Sequence, residues 1–141
     1  MATASTMNRY FNKWLGTTAR SEYDVVSLVE DGLPLHALEQ MIRNGLAKDE
    51  IYRIVIPART LKHRRSRRQH LSKEESDRAI RTARLLARAQ AVFGTVESGL
   101  SWMRAPKRRF ESQSPLEMMR SEAGSRLVEE MLIQIEEGMF A

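Results

Sequence analysis

The side chains best suited to chemistry in this chain are cations. Lys and Arg supply six of the ten residues at positions 59–68, and no acidic residue interrupts them. Cations at this density attract the phosphate backbone of a nucleic acid, which proteins neutralise through Lys and Arg. Pro57 stands just before the run, where proline favours the first turn of a helix, and a helix N-terminus itself attracts anions. The run predicts a phosphate-binding helix, with an unpaired, solvated helix face as the alternative interpretation.

Residues suited to catalysis are few. The chain has no Cys and three His, which are His36, His63 and His70. His63 and His70 would share a helix face, but the surrounding cations disfavour a bound metal ion. The sequence contains no zinc-binding HExxH motif, Gly-rich phosphate loop or GxSxG nucleophile motif. Paired glutamates near the C-terminus alternate with apolar positions, which is typical of the solvated side of an amphipathic helix. We expect no enzymatic activity, no metal site and no cofactor.

Charge is divided unevenly along the chain. Residues 111–141 contain seven Glu and two Arg, a charge of −5, so the net charge of +5 leaves +10 on residues 1–110. A basic front and an acidic tail predict two different partners. No apolar run approaches the roughly 20 residues that a membrane helix needs, and the N-terminus lacks the apolar region of a secretory signal. We expect a cytoplasmic protein with no membrane partner, because the absence of Cys also fits a reducing compartment.

Helices must position these side chains, because strand patterns are almost absent. Ser72 and Glu75 form a capping box, which predicts the start of a long helix that ends at Gly94. Arg78, Arg81, Arg84 and Arg88 line one side of this helix, where the pairs Glu74–Arg78 and Asp77–Arg81 favour a solvated face. We predict an all-α protein, with further helices near residues 23–30, 34–44, 48–55, 95–102 and 124–137 and one from residue 58 onward.

Two of the predicted helices are amphipathic. Near the N-terminus, an apolar edge of Tyr10, Phe11, Trp14 and Leu15 predicts an arm that docks on the core, with a dimer contact as the alternative. The last helix should bury Leu127, Val128, Met131, Leu132 and Ile135. Trp102, in the helix near 95–102, is expected to anchor the core rather than stack on bases.

Residues 48–68 resemble a helix-turn-helix unit, in which the second helix enters the major groove of DNA. Residues 48–55 would form the supporting helix, Val55, Ile56 and Pro57 the turn, and residues from 58 the recognition helix. Arg59, Thr60, Lys62 and His63 would face base edges, and Arg64, Arg65, Arg67 and Arg68 would reach phosphates. Such turns usually place Gly where Val55 stands, because φ is often positive there, so we expect Val55 to strain the turn.

The second half carries an ordered set of residues that is similar to one family. The set comprises Leu-Ser-x-x-Glu-Ser-x-Arg at 71–78, Val-Phe-Gly at 92–94, Trp102, Pro106, Phe110, Ser-Pro-Leu at 114–116, Glu-Ala-Gly at 122–124, Val128, Leu132, Ile135 and Gly138. This set, with Arg-Thr-Leu at 59–61, resembles the Xre/MbcA/ParS antitoxin family across residues 23–138. The sequence departs from the family pattern at Gly99, Met103 and Glu111, none of which threatens the fold.

The resemblance implies an Xre-like helix-turn-helix domain joined by a long helix to a small helical toxin-binding domain. We expect an N-terminal arm at 1–20, a DNA-binding domain at 21–70 and a toxin-binding domain at 71–141. The resemblance implies a homodimer that represses its own operon and an antitoxin that covers the active site of a RES-domain, NAD-degrading toxin. The implied toxin contacts are Glu129, Leu132, Ile133, Glu136, Glu137, Gly138, Met139, Phe140 and Ala141. The alternative is a dimeric helix-turn-helix repressor whose C-terminal half only dimerises.

Overall fold

The computed structural model describes residues 2–138, and within them the chain is helical, without strands. The helices are α1 (Ala4–Leu15), α2 (Glu22–Asp31), α3 (His36–Arg43), α4 (Lys48–Ile54), α5 (Ala58–Ser66), α6 (Lys73–Phe93), α7 (Val96–Arg104), α8 (Pro115–Met118) and α9 (Glu122–Glu136), with a 3₁₀ turn at Arg108–Phe110. The predicted all-α fold class is confirmed. No helix in residues 2–138 is both long enough and apolar enough to cross a membrane.

Short polar side chains fix where the helices begin. At the start of α6, the Glu75 amide donates to Ser72 Oγ at 3.1 Å, and the Ser72 amide donates to Glu75 Oε1 at 2.7 Å. This reciprocal pair is the predicted capping box, and it satisfies two amides that have no partner within the helix. Ser121 caps α9 in the same position by accepting from the Gly124 amide. The cap therefore starts α9 at Glu122, two residues before the predicted start.

The long helix α6 forms the centre of the packing. It contacts α1, α2, α7 and α9, and also α4. Its inward face carries many small residues, including Ala79, Ala83, Ala87 and Ala89, all almost fully buried. Small side chains let neighbouring helices approach closely, so one hydrophobic core runs through both halves of the chain.

The N-terminal helix docks on this core as predicted. Phe11, Trp14 and Leu15 are buried against it, and Tyr10 is partly buried beside them. Asn12 secures the chain after α1, because its amide donates to the Ala19 carbonyl and its Oδ1 accepts from the Ala19 amide. The edge predicted from the helical spacing is therefore an internal packing surface for three of its four residues.

Two predictions about side-chain direction are wrong. Leu127 was expected to face the core but is 48% exposed, because the inward face of α9 is formed by Gly124, Val128, Met131 and Leu132. The arginine row on α6 was expected to be solvated, which is correct for Arg84, but Arg78, Arg81 and Arg88 are half-buried. Their heads lie between elements: Arg78 Nε donates to the Val55 carbonyl at 2.8 Å, and Arg88 lies 3.7 Å from the Glu136 carboxylate. The predicted Asp77–Arg81 pair is present, at 3.1 Å.

Candidate functional site

The turn between α4 and α5 is built without a left-handed residue. Val55 has φ −103° and ψ −56°, which is ordinary right-handed backbone. The chain leaves α4 because the amides of Val55 and Ile56 both donate to the Ile51 carbonyl, and Ile51, Val55 and Ile56 are all buried. The strain predicted at Val55 is therefore wrong, since no positive φ is required. Arg78 of α6 further fixes the turn through its bond to the Val55 carbonyl.

Helix α5 presents almost its whole surface to solvent. Leu61 is its single buried residue, and Pro57 precedes the helix as its N-cap in extended backbone. Of the eight residues predicted to meet DNA, six are exposed: Arg59, Lys62, His63, Arg65, Arg67 and Arg68. Thr60 is half-buried at the start of the helix. The structure thus brings these side chains together on one short helix and the two residues that follow it, and the helix itself buries only Leu61.

Arg64 differs from its neighbours on α5. Its Nε lies 3.0 Å from Glu75 Oε1 and its Nη2 lies 3.2 Å from Glu75 Oε2, a two-pronged pair in which the Glu75 side chain is 7% exposed. Burial alone would raise the pKa of Glu75, but the hydrogen bonds from Arg64 and from the Ser72 amide outweigh it and lower that pKa below its ordinary value. The role predicted for Arg64 at a phosphate is untested, and its geometry makes it a clamp between α5 and α6.

The segment after α5 is tied to the α2–α3 turn. Arg68 has φ 53°, so this arginine occupies the left-handed position that usually takes glycine at a helix end. The Leu71 amide then donates to the Leu33 carbonyl at 2.9 Å, and the Leu33 amide donates to Ser76 Oγ at 2.8 Å. A side chain at Gly32 would bring Cβ within 2.3 Å of the Leu71 carbonyl oxygen. These contacts fix where α5 ends and α6 begins.

A second buried ion pair joins α4 to α7. Glu50 is 7% exposed, and its carboxylate accepts from Arg104 Nε at 2.9 Å and from Arg104 Nη2 at 2.7 Å. The same carboxylate accepts from the Ala47 amide, and Arg104 Nη2 also donates to the Gly45 carbonyl. Burial raises the pKa of Glu50, but these bonds outweigh burial and leave that pKa below its ordinary value. The sequence did not indicate this pair, because its members lie 54 residues apart, with α5 and α6 between them.

The predicted toxin contacts on α9 divide by burial. Glu129, Glu137 and Gly138 are exposed, and Ile133 and Glu136 are half-buried. Leu132 is fully buried in the core, so its prediction as a surface contact is corrected: it holds α9 in place and offers no surface to a partner. The predictions at Met139, Phe140 and Ala141 lie outside the described residues.

Comparison with known proteins decides the family. A model of the antitoxin Xre-like helix-turn-helix domain matches residues 24–84, and a model of the antitoxin Xre/MbcA/ParS C-terminal toxin-binding domain matches residues 88–138. A protein named antitoxin Xre from Pseudomonas putida is 37% identical over 118 residues, which cover 84% of this chain and 74% of that protein. The chain belongs to the Xre antitoxin family. A second antitoxin Xre, from Yersinia enterocolitica, is 26% identical over 142 residues, covering 99% of this chain and 96% of the relative.

The candidate binding elements can be placed within the two family matches. The α4–turn–α5 unit lies inside the helix-turn-helix match, and all of α9 lies inside the toxin-binding match. The Glu50–Arg104 pair joins the two matched regions, whereas Arg64–Glu75 lies within the first. The division predicted between residues 70 and 71 stays a prediction. Helix α1 lies outside both matches.

Neither matched domain is described as catalytic, and the relatives are named as antitoxins. Residues 2–138 contain no group of three or more His, Cys, Asp and Glu side chains that could hold a metal ion. Trp102 is half-buried and packs against Phe93 at a ring-centroid distance of 5.4 Å, with Lys107 Nζ 4.7 Å from its ring. It therefore belongs to the packing of α6 and α7.

Proposed function

We propose that this Xre-family protein is the antitoxin of a type II toxin–antitoxin pair with two binding activities and no chemistry of its own. One activity binds and blocks a RES-domain toxin that degrades NAD, and the other represses the antitoxin's own operon through DNA. The protein would act as a homodimer in the cytoplasm. The observation that carries the proposal is the pairing of a helix-turn-helix match and a toxin-binding match in one chain that carries +10 on residues 1–110 and −5 on residues 111–141.

For DNA, the supporting geometry is the exposed face of α5. Arg59, Thr60, Lys62 and His63 lie in its first six residues, the part of a recognition helix that meets base edges in the major groove. Arg65, Arg67 and Arg68 follow at its exposed C-terminal end and would neutralise phosphates. Arg64 would act indirectly, because its bond to Glu75 sets the position of α5 on α6.

For the toxin, the supporting geometry is the C-terminal half of α9. Its buried face fixes the helix to the core, while Glu129 and Glu137 project into solvent, with Ile133 and Glu136 partly covered. An acidic rim around an apolar patch suits a basic or cation-lined pocket, where complementary charge speeds association more than it tightens the complex. Inhibition would follow from covering the toxin's active site, so the antitoxin needs no catalytic residue.

A double dissociation tests this proposal. The full chain is co-expressed with the product of the neighbouring gene, which the proposal expects to be a RES-domain toxin, and both cell survival and NAD level are measured. Deletion of residues 138–141 should abolish rescue and leave operator binding intact. The matched variant Arg65→Ala should weaken operator binding and leave rescue intact. Rescue by the truncated chain would contradict the predicted contact, and failure of the wild-type chain to rescue would favour a repressor whose C-terminal half only dimerises.

A further inference from the structure

A groove lies where three helices meet near the C-terminal end of α9. Its volume is about 470 Å³, and Ala2, Thr6, Tyr10, Ala91, Val92, Ile135 and Glu136 line it. Each of these residues is half-buried. Tyr10, Val92 and Ile135 pack against the core with one side and leave the other side uncovered. The groove therefore combines apolar side chains with polar atoms, among them the Glu136 carboxylate, which lies 3.7 Å from Arg88.

We propose that this groove is part of the toxin-binding surface and that α1 supplies one of its walls. The inference rests on the proposed function and deepens it, because it assigns to the toxin an element outside both family matches. It commits the groove to an apolar side chain of the toxin, because the Glu136 carboxylate at its edge is already paired with Arg88.

The position of the groove supports the toxin as occupant. Four of its seven lining residues, Ala91, Val92, Ile135 and Glu136, lie within the residues matched by the toxin-binding domain. The other three belong to α1 or directly precede it. Glu137 and Gly138 directly follow Glu136 in the chain and are exposed. A toxin that contacts the end of α9 would therefore lie close to the groove and its α1 wall.

The size of the groove shows that it can be only one part of a protein interface. A stable protein interface uses roughly 20–30 residues from each partner. The groove alone offers seven, and they are only half exposed. It would suit one anchoring side chain within a larger contact, and the acidic end of α9 provides the continuation of that contact.

The packing of α1 allows the groove to be changed without disturbing the core. Phe11, Trp14 and Leu15 hold α1 through its opposite edge, so deleting the helix would expose the core. Thr6 is better suited to substitution. Its backbone amide donates to Thr3 Oγ1 at the helix start, and this bond does not require the Thr6 side chain. Thr6→Trp should therefore fill the groove and keep the backbone capping bond, although it removes the bond that the Thr3 hydroxyl donates to Thr6 Oγ1.

The test measures the affinity of the full chain for the RES-domain protein by calorimetry. Thr6→Trp should weaken binding at least about tenfold, which corresponds to roughly 1.4 kcal/mol. Tyr10→Ala should weaken it by a smaller factor, because it removes one wall and leaves the space open. The matched controls are Thr18→Trp, on an exposed loop, and Tyr23→Ala, at an exposed position on α2; neither should change the affinity.

Each outcome separates the hypotheses. If Thr6→Trp and Tyr10→Ala bind the toxin as the wild-type chain does, the groove proposal is wrong while the proposed function stands. If the wild-type chain itself does not bind, the proposed function fails first, and the groove proposal fails with it. If Thr6→Trp shifts the protein from dimer to monomer in sedimentation without changing toxin affinity, the groove is a self-contact. Thermal unfolding of each variant checks that the fold is kept.

Discussion

Helices α5 and α9 are both candidate binding helices, but the chain holds them in opposite ways. α9 buries five residues, and its exposed side is acidic. α5 buries one, Leu61, and its exposed side is basic. α9 is therefore positioned by packing, which acts along its length, whereas α5 depends on one leucine and on the Arg64–Glu75 clamp.

The difference shows what each surface can give to a partner. A helix anchored by its own core face can lose or gain surface charge without moving, so the acids of α9 are free to be tuned to a partner. α5 buries a single residue, so packing contributes little to its position. One of its cations, Arg64, also holds the helix in place by binding Glu75 of α6. On α9, the residues that stabilise the helix and the residues that could bind a partner are therefore different. On α5, both kinds belong to the same set of cations. The following predictions test that distinction, from the largest expected effect to the smallest.

The largest effect is expected in the core face of α9. Leu132→Ala should lower the free energy of unfolding by about 2–5 kcal/mol, because it removes buried methyl groups and leaves a cavity. The matched control Leu127→Ala, one turn away and 48% exposed, should change stability by less than about 0.5 kcal/mol. Urea unfolding followed by circular dichroism measures both. Equal losses from the two variants would mean that α9 is not fixed by its inward face.

The clamp on α5 should give the next largest effect. Glu75→Gln leaves the Arg64 guanidinium without a carboxylate, and we expect a loss of about 1.5–3 kcal/mol in unfolding free energy. The control Asp77→Asn breaks the pair between the exposed Asp77 carboxylate and the half-buried Arg81, and it should cost less than about 1 kcal/mol. A loss from Glu75→Gln no greater than from Asp77→Asn would show that the clamp does not hold α5.

The clamp also predicts a pH dependence. The pKa of Glu75 is lower in the folded chain than its ordinary value, so its contribution to stability is complete above the unfolded pKa, about 4.3. The contribution is lost as the pH falls through the folded pKa. The stability difference between wild type and Glu75→Gln should therefore be greatest near neutral pH and shrink below about pH 4.3. A difference that grows on acidification would contradict the assigned direction of the pKa shift.

The two ion pairs between helices, Arg64–Glu75 and Glu50–Arg104, could not be predicted from the sequence. The capping box at Ser72 and Glu75 could be predicted from the sequence because both partners lie within one helical turn. Glu50–Arg104 was not, because only the assembled fold brings residues of α4 and α7 together. Arg64–Glu75 likewise required knowing the angle at which α6 leaves α5. The sequence shows how many cations α5 carries, but it does not show that one of them, Arg64, is ion-paired with Glu75.

The backbone at Val55 and the rotation of α9 failed for a different reason. The Val55 strain was inferred from the usual form of the motif, whereas here the Ile56 amide bonds back to the Ile51 carbonyl and keeps the turn right-handed. Leu127 and Val128 are adjacent and both apolar, so periodicity alone could not decide which would face inward. Ser121 sets the start of α9 and Gly124 lies against the Met118 carbonyl, which fixes the rotation of the helix.

Salt dependence of operator binding separates the two kinds of α5 cation. Arg65→Ala should lower the slope of log affinity against log salt by about one, because an exposed cation and its phosphate contact are lost. Arg64→Ala should reduce stability but leave the slope of the folded variant close to that of the wild type. Fluorescence anisotropy over a salt series measures both slopes. A full unit lost from Arg64→Ala would place Arg64 on a phosphate after all and weaken its assignment as a clamp.

The smallest effect on stability is expected at Arg68. Unlike Arg64, it is exposed and is expected to contribute to phosphate binding rather than to stability. Arg68 adopts φ 53°, and a left-handed backbone costs a residue with a side chain roughly 1–2 kcal/mol relative to the right-handed form. Arg68→Gly removes this strain but increases the freedom of the unfolded chain by about 0.5–1 kcal/mol. The two effects oppose each other, so stability should stay equal or rise by up to about 1.5 kcal/mol.

Operator binding by Arg68→Gly should nevertheless weaken, with the salt slope reduced by about one as for Arg65→Ala. Arg68→Ala is the matched control, because it removes the same cation while keeping the strained backbone. If the Gly variant is less stable than the Ala variant, the left-handed backbone at residue 68 is not a source of strain. If it is at least as stable and binds the operator more weakly than the wild-type chain, the chain keeps an arginine where glycine would fold equally well, which is the behaviour expected of a residue retained for its contact with phosphate.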